Sequence, residues 1–519
     1  MTARHIAGRQ FTASARPHLP RLVRQGLRLA IGIWSLTLAS LAALQAQRAN
    51  NLIVDFSKSQ GVFRALHGIN KGPLAAGGIV DVTEDLQALG LPGIRLHDCH
   101  WPNPDVVDIH AVFPDFHANP GRAANYDFAL TDEYLAAANK TGAQLIYRLG
   151  ESIEHTSKRH HVHPPDDPSK WADICLGLIR HYNEGWAGGT HLGIRYWEIW
   201  NEPENRPAMW SGTDEDYFRL YRVAAKRIKK RYPDLKVGGP AVGAIGNFVT
   251  GSFQPTAFVT NFLSLCRRES LPLDFFSWHC YTADSTQLSL RARVVRHLLD
   301  TYGFTNTESH LNEWNYLPGN SWEPLGRSAP PVTRQTAYEQ MAGPAGASFL
   351  VTALLELQDA PVDMCNLFHG ELGGFGLFNE YGMPHKNYYG LLAFHGLLDT
   401  PRRVLTRGDV PGQLGLAAGM NADGTEASIL ASNLTRPKGD FRIVLLHLPW
   451  TGPTVVETRL VDATHDLSPV ARSTNAVNEA FVNLQLRAPG VALIRLHPAP
   501  QPGEPPEKGT PPTSGKSGG

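Results

Sequence analysis

Cysteine is scarce. Five residues in 519, Cys99, Cys175, Cys266, Cys280 and Cys365, are odd in number and lack CxxC spacing, which excludes a dense disulfide framework and the common zinc spacings. Each lies in an apolar segment, where a small buried hydrophobe is expected. Net charge is missing as well: 48 Lys and Arg balance 48 Asp and Glu. No general attraction to nucleic acid or an anionic membrane follows, and a neutral substrate suits the chain better than a polyanion. No Gly-rich phosphate fingerprint follows the first apolar run, which argues against an open, doubly wound dinucleotide-binding sheet.

The apolar run LAIGIWSLTLASLAAL at 29–44 is short for a membrane span. It follows Arg16, Arg21, Arg24 and Arg28 and precedes QAQ, the layout of a secretory signal cleaved after Ala46. Residues 1–46 therefore read as a signal peptide or retained N-terminal anchor. The protein is expected to be secreted or periplasmic, touching a membrane only if that segment stays.

From residue 61 to 401 apolar strand patterns alternate with amphipathic helical ones. Strands are expected near 62–70, 93–99, 143–149, 194–201, 236–242, 274–281, 308–315 and 362–369, each followed by a helical pattern. In one of these helices Tyr217, Leu220, Tyr221, Ala224 and Ile228 form a single apolar stripe, Thr213 with Asp216 resembles a capping box, and Lys229, Lys230 and Arg231 close the last turn. Eight such units fit an α/β fold, the (β/α)8 TIM barrel, because parallel neighbours need crossover helices. At 402–498 short strand patterns without helices predict a C-terminal β-sandwich, with residues 47–60 supplying an N-terminal strand to it. The Pro/Gly-rich tail 499–519 lacks apolar side chains and is expected to be disordered.

Chemistry concentrates in YWEIWNEPEN, 196–205, and LNEWN, 311–315. Barrel enzymes work at the C-terminal strand ends, and strands four and seven face each other across the mouth. Glu202 and Glu313 at those ends would flank a bound glycoside, one protonating the leaving oxygen while the other attacks the anomeric carbon or activates water. The two tryptophans, Trp197 and Trp200, are expected to pack the strand and wall the pocket. Arg95 is a candidate for orienting Glu313, with a structural salt bridge as the alternative; His97 and Asp98 could bind sugar hydroxyls or be structural, and Glu371 is a further binding candidate. Glu198 reads as structural and in need of a partner. The loop SKRHHVHPP, with His160, His161 and His163, suggests a metal at first, but no acidic ligand at a strand end is foreseen beside it, so neither metal nor cofactor is expected.

YWEIWNEPE, WHCY at 278–281, LNEWN, GGFGL at 373–377 and GMPHKNYYGLLAF at 382–394 resemble glycoside hydrolase family 39, the β-xylosidase and α-L-iduronidase family, over roughly residues 50–400. The resemblance implies a retaining glycoside hydrolase of clan A acting on an oligo- or polysaccharide. It assigns Glu202 as acid/base and Glu313 as nucleophile, gives Asn201 the sugar 2-hydroxyl, and places His279 and Tyr281 along the −1 subsite. The chain departs from the family pattern at Glu204, where Asp or Asn is usual after the proline, and at Asn366 and Phe368, in a strand that usually carries Trp. A transglycosylase, a non-catalytic carbohydrate-binding protein and an anchored surface protein are the alternatives.

Overall fold

The computed structural model describes residues 51–75, 79–99, 105–476 and 480–500. The leader of residues 1–46 and the tail beyond 500 lie outside the described residues. Eight of the apolar runs become strands: β1 (Gly68–Asn70), β2 (Gly93–Leu96), β3 (Gln144–Leu149), β4 (Tyr196–Ile199), β5 (Lys236–Val242), β6 (Phe275–Thr282), β7 (Glu308–Tyr316) and β8 (Met364–Leu367). They pair in parallel in chain order and close into a barrel when β8 meets β1. Several are shorter than their apolar patterns because the outer residues pack without ladder hydrogen bonds; Phe63 and Leu66, ahead of β1, are buried in this way.

The crossover helices form for the reasons their sequences give. In α1 (Asp214–Arg231) the stripe Tyr217, Leu220, Tyr221, Ala224 and Ile228 is buried. The box at its start closes, with Asp216 N donating to Thr213 Oγ1 at 3.2 Å and Thr213 N to Asp216 Oδ2 at 3.0 Å. Helix α2 (Pro344–Leu357) is apolar on nearly every side, which a barrel helix tolerates only if something covers its outer face.

A nine-stranded sheet provides that cover. It contains the C-terminal strands from Arg402 to Pro498 and also the strand Asn51–Val62, which pairs antiparallel with Arg402–Arg407. It folds as a β-sandwich around its own core, including Leu52, Val54, Phe56, Ile429, Ile443 and Ile494. The seam to the barrel is tied by Thr352 Oγ1 donating to Ser432 Oγ (3.0 Å) and Ser432 Oγ donating to Ser348 O (2.8 Å). All five cysteines are free and buried. Among the described residues no helix is long and apolar enough to cross a membrane.

Candidate active site

Two local irregularities aim side chains into the barrel mouth. Along a regular strand successive residues face opposite sides. The β6–β7 ladder pairs Trp278 with Leu311 but His279 with Glu313, so Asn312 is an extra residue on β7. This bulge lets the neighbours Asn312 and Glu313 both reach interior partners. After β4, Trp200 (φ 69°) and Glu202 (φ 43°) both adopt left-handed backbone, turning the chain sharply on each side of Asn201. Non-glycine residues hold that conformation only where the surroundings fix it, as functional sites do. Glu202 thus stands three residues beyond β4, and Glu313 lies inside β7 rather than at its end.

Arg95 is the hub. Its wholly buried guanidinium donates from Nε to Glu198 Oε2 (2.7 Å), from Nη1 to Asn70 Oδ1 (2.9 Å) and Glu313 Oε1 (2.8 Å), and from Nη2 to Asn201 Oδ1 (2.6 Å). Both sequence alternatives for Arg95 therefore apply: it is an internal ion pair and it orients Glu313. Glu198 finds its partners in Arg95 and in Asn312 Nδ2, 2.6 Å away. Tyr281 OH donates to Glu313 Oε2 at 2.8 Å. His279 Nδ1 lies 2.8 Å from Glu202 Oε1 and 3.4 Å from Glu313 Oε2, bridging the two carboxyls. One ligand-type atom each of Glu202, His279 and Glu313 lie within 4.8 Å of one another.

The tautomer of His97 follows from its neighbour. Arg148 Nε only donates, and it stands 3.0 Å from His97 Nδ1, so that nitrogen accepts and Nε2 carries the proton. Burial, then the charges of Arg95 and Arg148, holds His97 well below its usual value. Nε2 is 3.4 Å from Asp98 Oδ1 and 3.6 Å from Glu313 Oε1. In the free site burial lifts the Glu313 carboxyl above its ordinary value, against the pull of His279 and Arg95. Glu202 is also raised by burial, but hydrogen bonds from His279 and from Asn205 bring it below its ordinary value.

These groups line a cavity of about 690 Å³. Of the residues singled out in the sequence, His97, Asp98, Asn201, Glu202, Tyr281 and Glu313 reach its wall. Arg95, His279 and Glu371 do not. Arg95 and His279 stand behind the carboxyls, and Glu371 is buried against Lys71, 3.3 Å away, because the chain after β1 supplies a cation that the sequence did not reveal. Trp197 and Trp200 are both buried in the core and leave the cavity wall to Tyr281, Trp322, Phe368 and Phe375. The ring of Trp322 meets Tyr281 edge-on with centroids 4.9 Å apart. Trp322 and Phe375 sit in loops after β7 and β8; an aromatic in a loop after a late strand was the available signal. Sequence reasoning also missed Asn205, whose Nδ2 donates to Glu202 Oε2 at 2.8 Å.

A second cavity of about 640 Å³ lies where the His-rich loop packs, lined by His110, His160, His161, His163 and Glu151. Contrary to the sequence reading, acidic groups do stand beside that loop: atoms of Asp108, His110 and Glu151 come within 4.8 Å of one another. Each is already paired, His110 Nδ1 with Glu151 Oε2 at 2.5 Å and Asp108 with Arg148 and Ser152. His110 also stacks on His161 at 3.5 Å, which ties the loop down.

The comparisons agree with the geometry. Two β-xylosidases match at 28% identity: that of Geobacillus stearothermophilus over 46% of this chain and 48% of its own length, and that of Caldicellulosiruptor saccharolyticus over 58% and 61%. The chain thus spans about half to three fifths of those relatives. Among solved structures, a glucosidase from Croceicoccus marinus superposes with a TM-score of 0.72 at 24% identity, covering 87% of this chain and 99% of that one. A β-xylosidase from Caulobacter crescentus superposes at 0.65 and 17% identity, covering 87% and 100%. These two share the fold. The model of glycosyl hydrolases family 39 matches residues 94–418, from β2 through the barrel into the sandwich, and the chain belongs to that family.

Proposed function

We propose that the protein is a retaining glycoside hydrolase acting on neutral, β-xyloside-like glycosides by double displacement. The observation that carries the reading is the closeness of the two carboxyls, with an oxygen of Glu202 within 4.8 Å of one on Glu313. Retaining enzymes hold their carboxyls about 5–5.5 Å apart, whereas inverting ones leave about 6.5–9.5 Å for a water.

Hydrogen bonding supports this division of roles. Glu313 is gripped by donors from Arg95 and Tyr281, both of which favour its ionised form and fix its oxygens for attack. Glu202 lies nearer the open cavity, with its side chain 17% exposed, and among the described residues its oxygens take hydrogen bonds from His279 and Asn205 alone. In the first step Glu313 attacks the anomeric carbon while Glu202 gives its proton to the leaving oxygen. In the second Glu202 takes a proton from water, which attacks the same carbon and releases Glu313. In the free site burial lifts Glu313 while hydrogen bonds from His279 and Asn205 lower Glu202, so the roles need the bound glycoside to strengthen the hold of Glu202 on its proton. His279 Nδ1 stands within reach of both carboxyls.

The wall supports a neutral sugar. Among the described residues it presents Asp98, Glu202, Glu204 and Glu313 but neither Lys nor Arg, so an iduronide or glucuronide carboxylate would meet like charge unpaired.

The test is hydrolysis of aryl xyloside, arabinoside, glucoside, galactoside, glucuronide and iduronide by wild type, Glu313→Gln and Glu202→Ala. The reading expects turnover of a neutral member, abolished in Glu313→Gln, and rescue of Glu202→Ala by azide with a glycosyl azide of retained configuration. Inverted product, or equal turnover of the uronides, overturns it.

A further inference from the structure

Of the cavity's carboxyls, Asp98 and Glu204 have no part in the two steps above, and Glu204 is the one on the loop of Glu202. Glu204, two residues past Glu202, turns its Oε1 to the backbone after β5, accepting from Gly243 N at 2.6 Å and Ala244 N at 3.1 Å. Its Oε2 is buried and takes no hydrogen bond among the described residues. Gly243 in turn lies against the acid: a Cβ built there would stand 2.5 Å from Glu202 Oε1. A carboxylate is thus anchored to the very peptide that backs Glu202, with one oxygen uncompensated. Such an oxygen is costly to bury unless its charge does something or it carries a proton.

We propose, resting on the acid/base role of Glu202, that Glu204 is a positioning residue: it clamps Gly243 behind the Glu202 carboxyl, and its charge opposes loss of the Glu202 proton. Like charges on neighbouring carboxyls disfavour double ionisation, and the effect is mutual. Burial and then the Glu202 charge push Glu204 up to about 7, so the pair tends to share one proton. The charge of His279 pulls Glu204 down, and Glu204 in turn raises Tyr217 on α1. Around Glu202 itself stand His279 from β6, Asn205, and Arg95 from β2, all of which favour its ionised form. Glu313 on β7, across the His279 bridge, adds negative charge when ionised. Glu204 is the group adjoining Glu202 on its own loop that works against the pull of His279 and Arg95, in the direction a general acid needs.

Glu204→Gln tests this because the amide oxygen keeps the bonds to Gly243 and Ala244 while the charge goes. With an aryl glycoside of poor leaving ability the basic limb of kcat/KM should move down by on the order of one pH unit, and the rate on that limb should fall about tenfold. A dinitrophenyl glycoside, whose departure needs no proton, should be cleaved as by wild type. Glu204→Asp, which restores the charge, should return the limb toward its wild-type position. A basic limb that stays in place in Glu204→Gln, or an equal loss on both substrates, overturns the proposal. Failure of the underlying reading looks different: Glu202→Ala would then cleave the poor substrate as well as wild type does.

Discussion

Arg95 and Glu198 form an ion pair with both side chains only 1% exposed and their atoms 2.6 Å apart, at the centre of the barrel mouth. Removing Arg95 leaves Glu198, and Glu313 with it, as buried carboxyls without their guanidinium. Arg95→Leu should destabilise the fold by about 3–5 kcal/mol and abolish turnover. The double substitution Arg95→Leu with Glu198→Leu should recover part of the stability, since Glu313 still lacks its guanidinium, and none of the activity. Denaturant unfolding beside kinetics checks this; equal losses in single and double variants would show that the pair does not interact as described.

Burial, against a hydrogen bond to Leu89 O, lowers His67 from 6.5 to about 4. The unfolded chain therefore takes up this proton near pH 6.5, and the folded chain only near pH 4. Between those values the unfolded state binds more protons, so stability is full above 6.5 and is lost as pH falls, by about 3 kcal/mol in all. Unfolding curves for His67→Gln should be less stable at neutral pH but flatter than wild type across that window. Parallel curves would refute the assignment.

Trp322 is 52% exposed at the rim beside Tyr281, and on the proposed reading it would stack on a sugar beyond the cleaved bond. Trp322→Ala should raise KM about tenfold for an oligosaccharide, with a smaller effect on an aryl monoglycoside. Steady-state kinetics on both substrates decides it, an equal change on the two being the adverse result.

Helix α2 has its outer face covered by the sandwich. A chain ended at residue 401 should expose that apolar face and aggregate, whereas Thr213→Ala, which removes a single cap from α1, should cost only about 1 kcal/mol and remain soluble. Light scattering of the two proteins checks the contrast.

The eight-unit alternation was legible because periodicity is local: the stripe on α1 and its cap can be read from neighbours three and four residues apart. Counting strands placed Glu202 and Glu313 on facing parts of the barrel mouth, and the structure brings their carboxyls together there. The bulge that admits Asn312 beside Glu313 depends on register with a strand more than thirty residues away, and nothing near Asn312 announces it. Lys71 hides Glu371 for the same reason, since a buried partner from a distant loop changes an expected wall residue into a sealed pair. Glu204 was visible only as a departure from a pattern; its meaning needed the Gly243 peptide beneath it.

The strand Asn51–Val62 joins a sheet whose other members begin at Arg402. During synthesis it leaves the ribosome first and finds no partner until the whole barrel has followed. Its edges stay open for that interval, offering ladder groups to other nascent chains. With alternating charge and serine at Asp55, Ser57, Lys58 and Ser59, the waiting segment is a poor template for such pairing, so the order in which this protein is made constrains those residues as well as the sheet they finally complete.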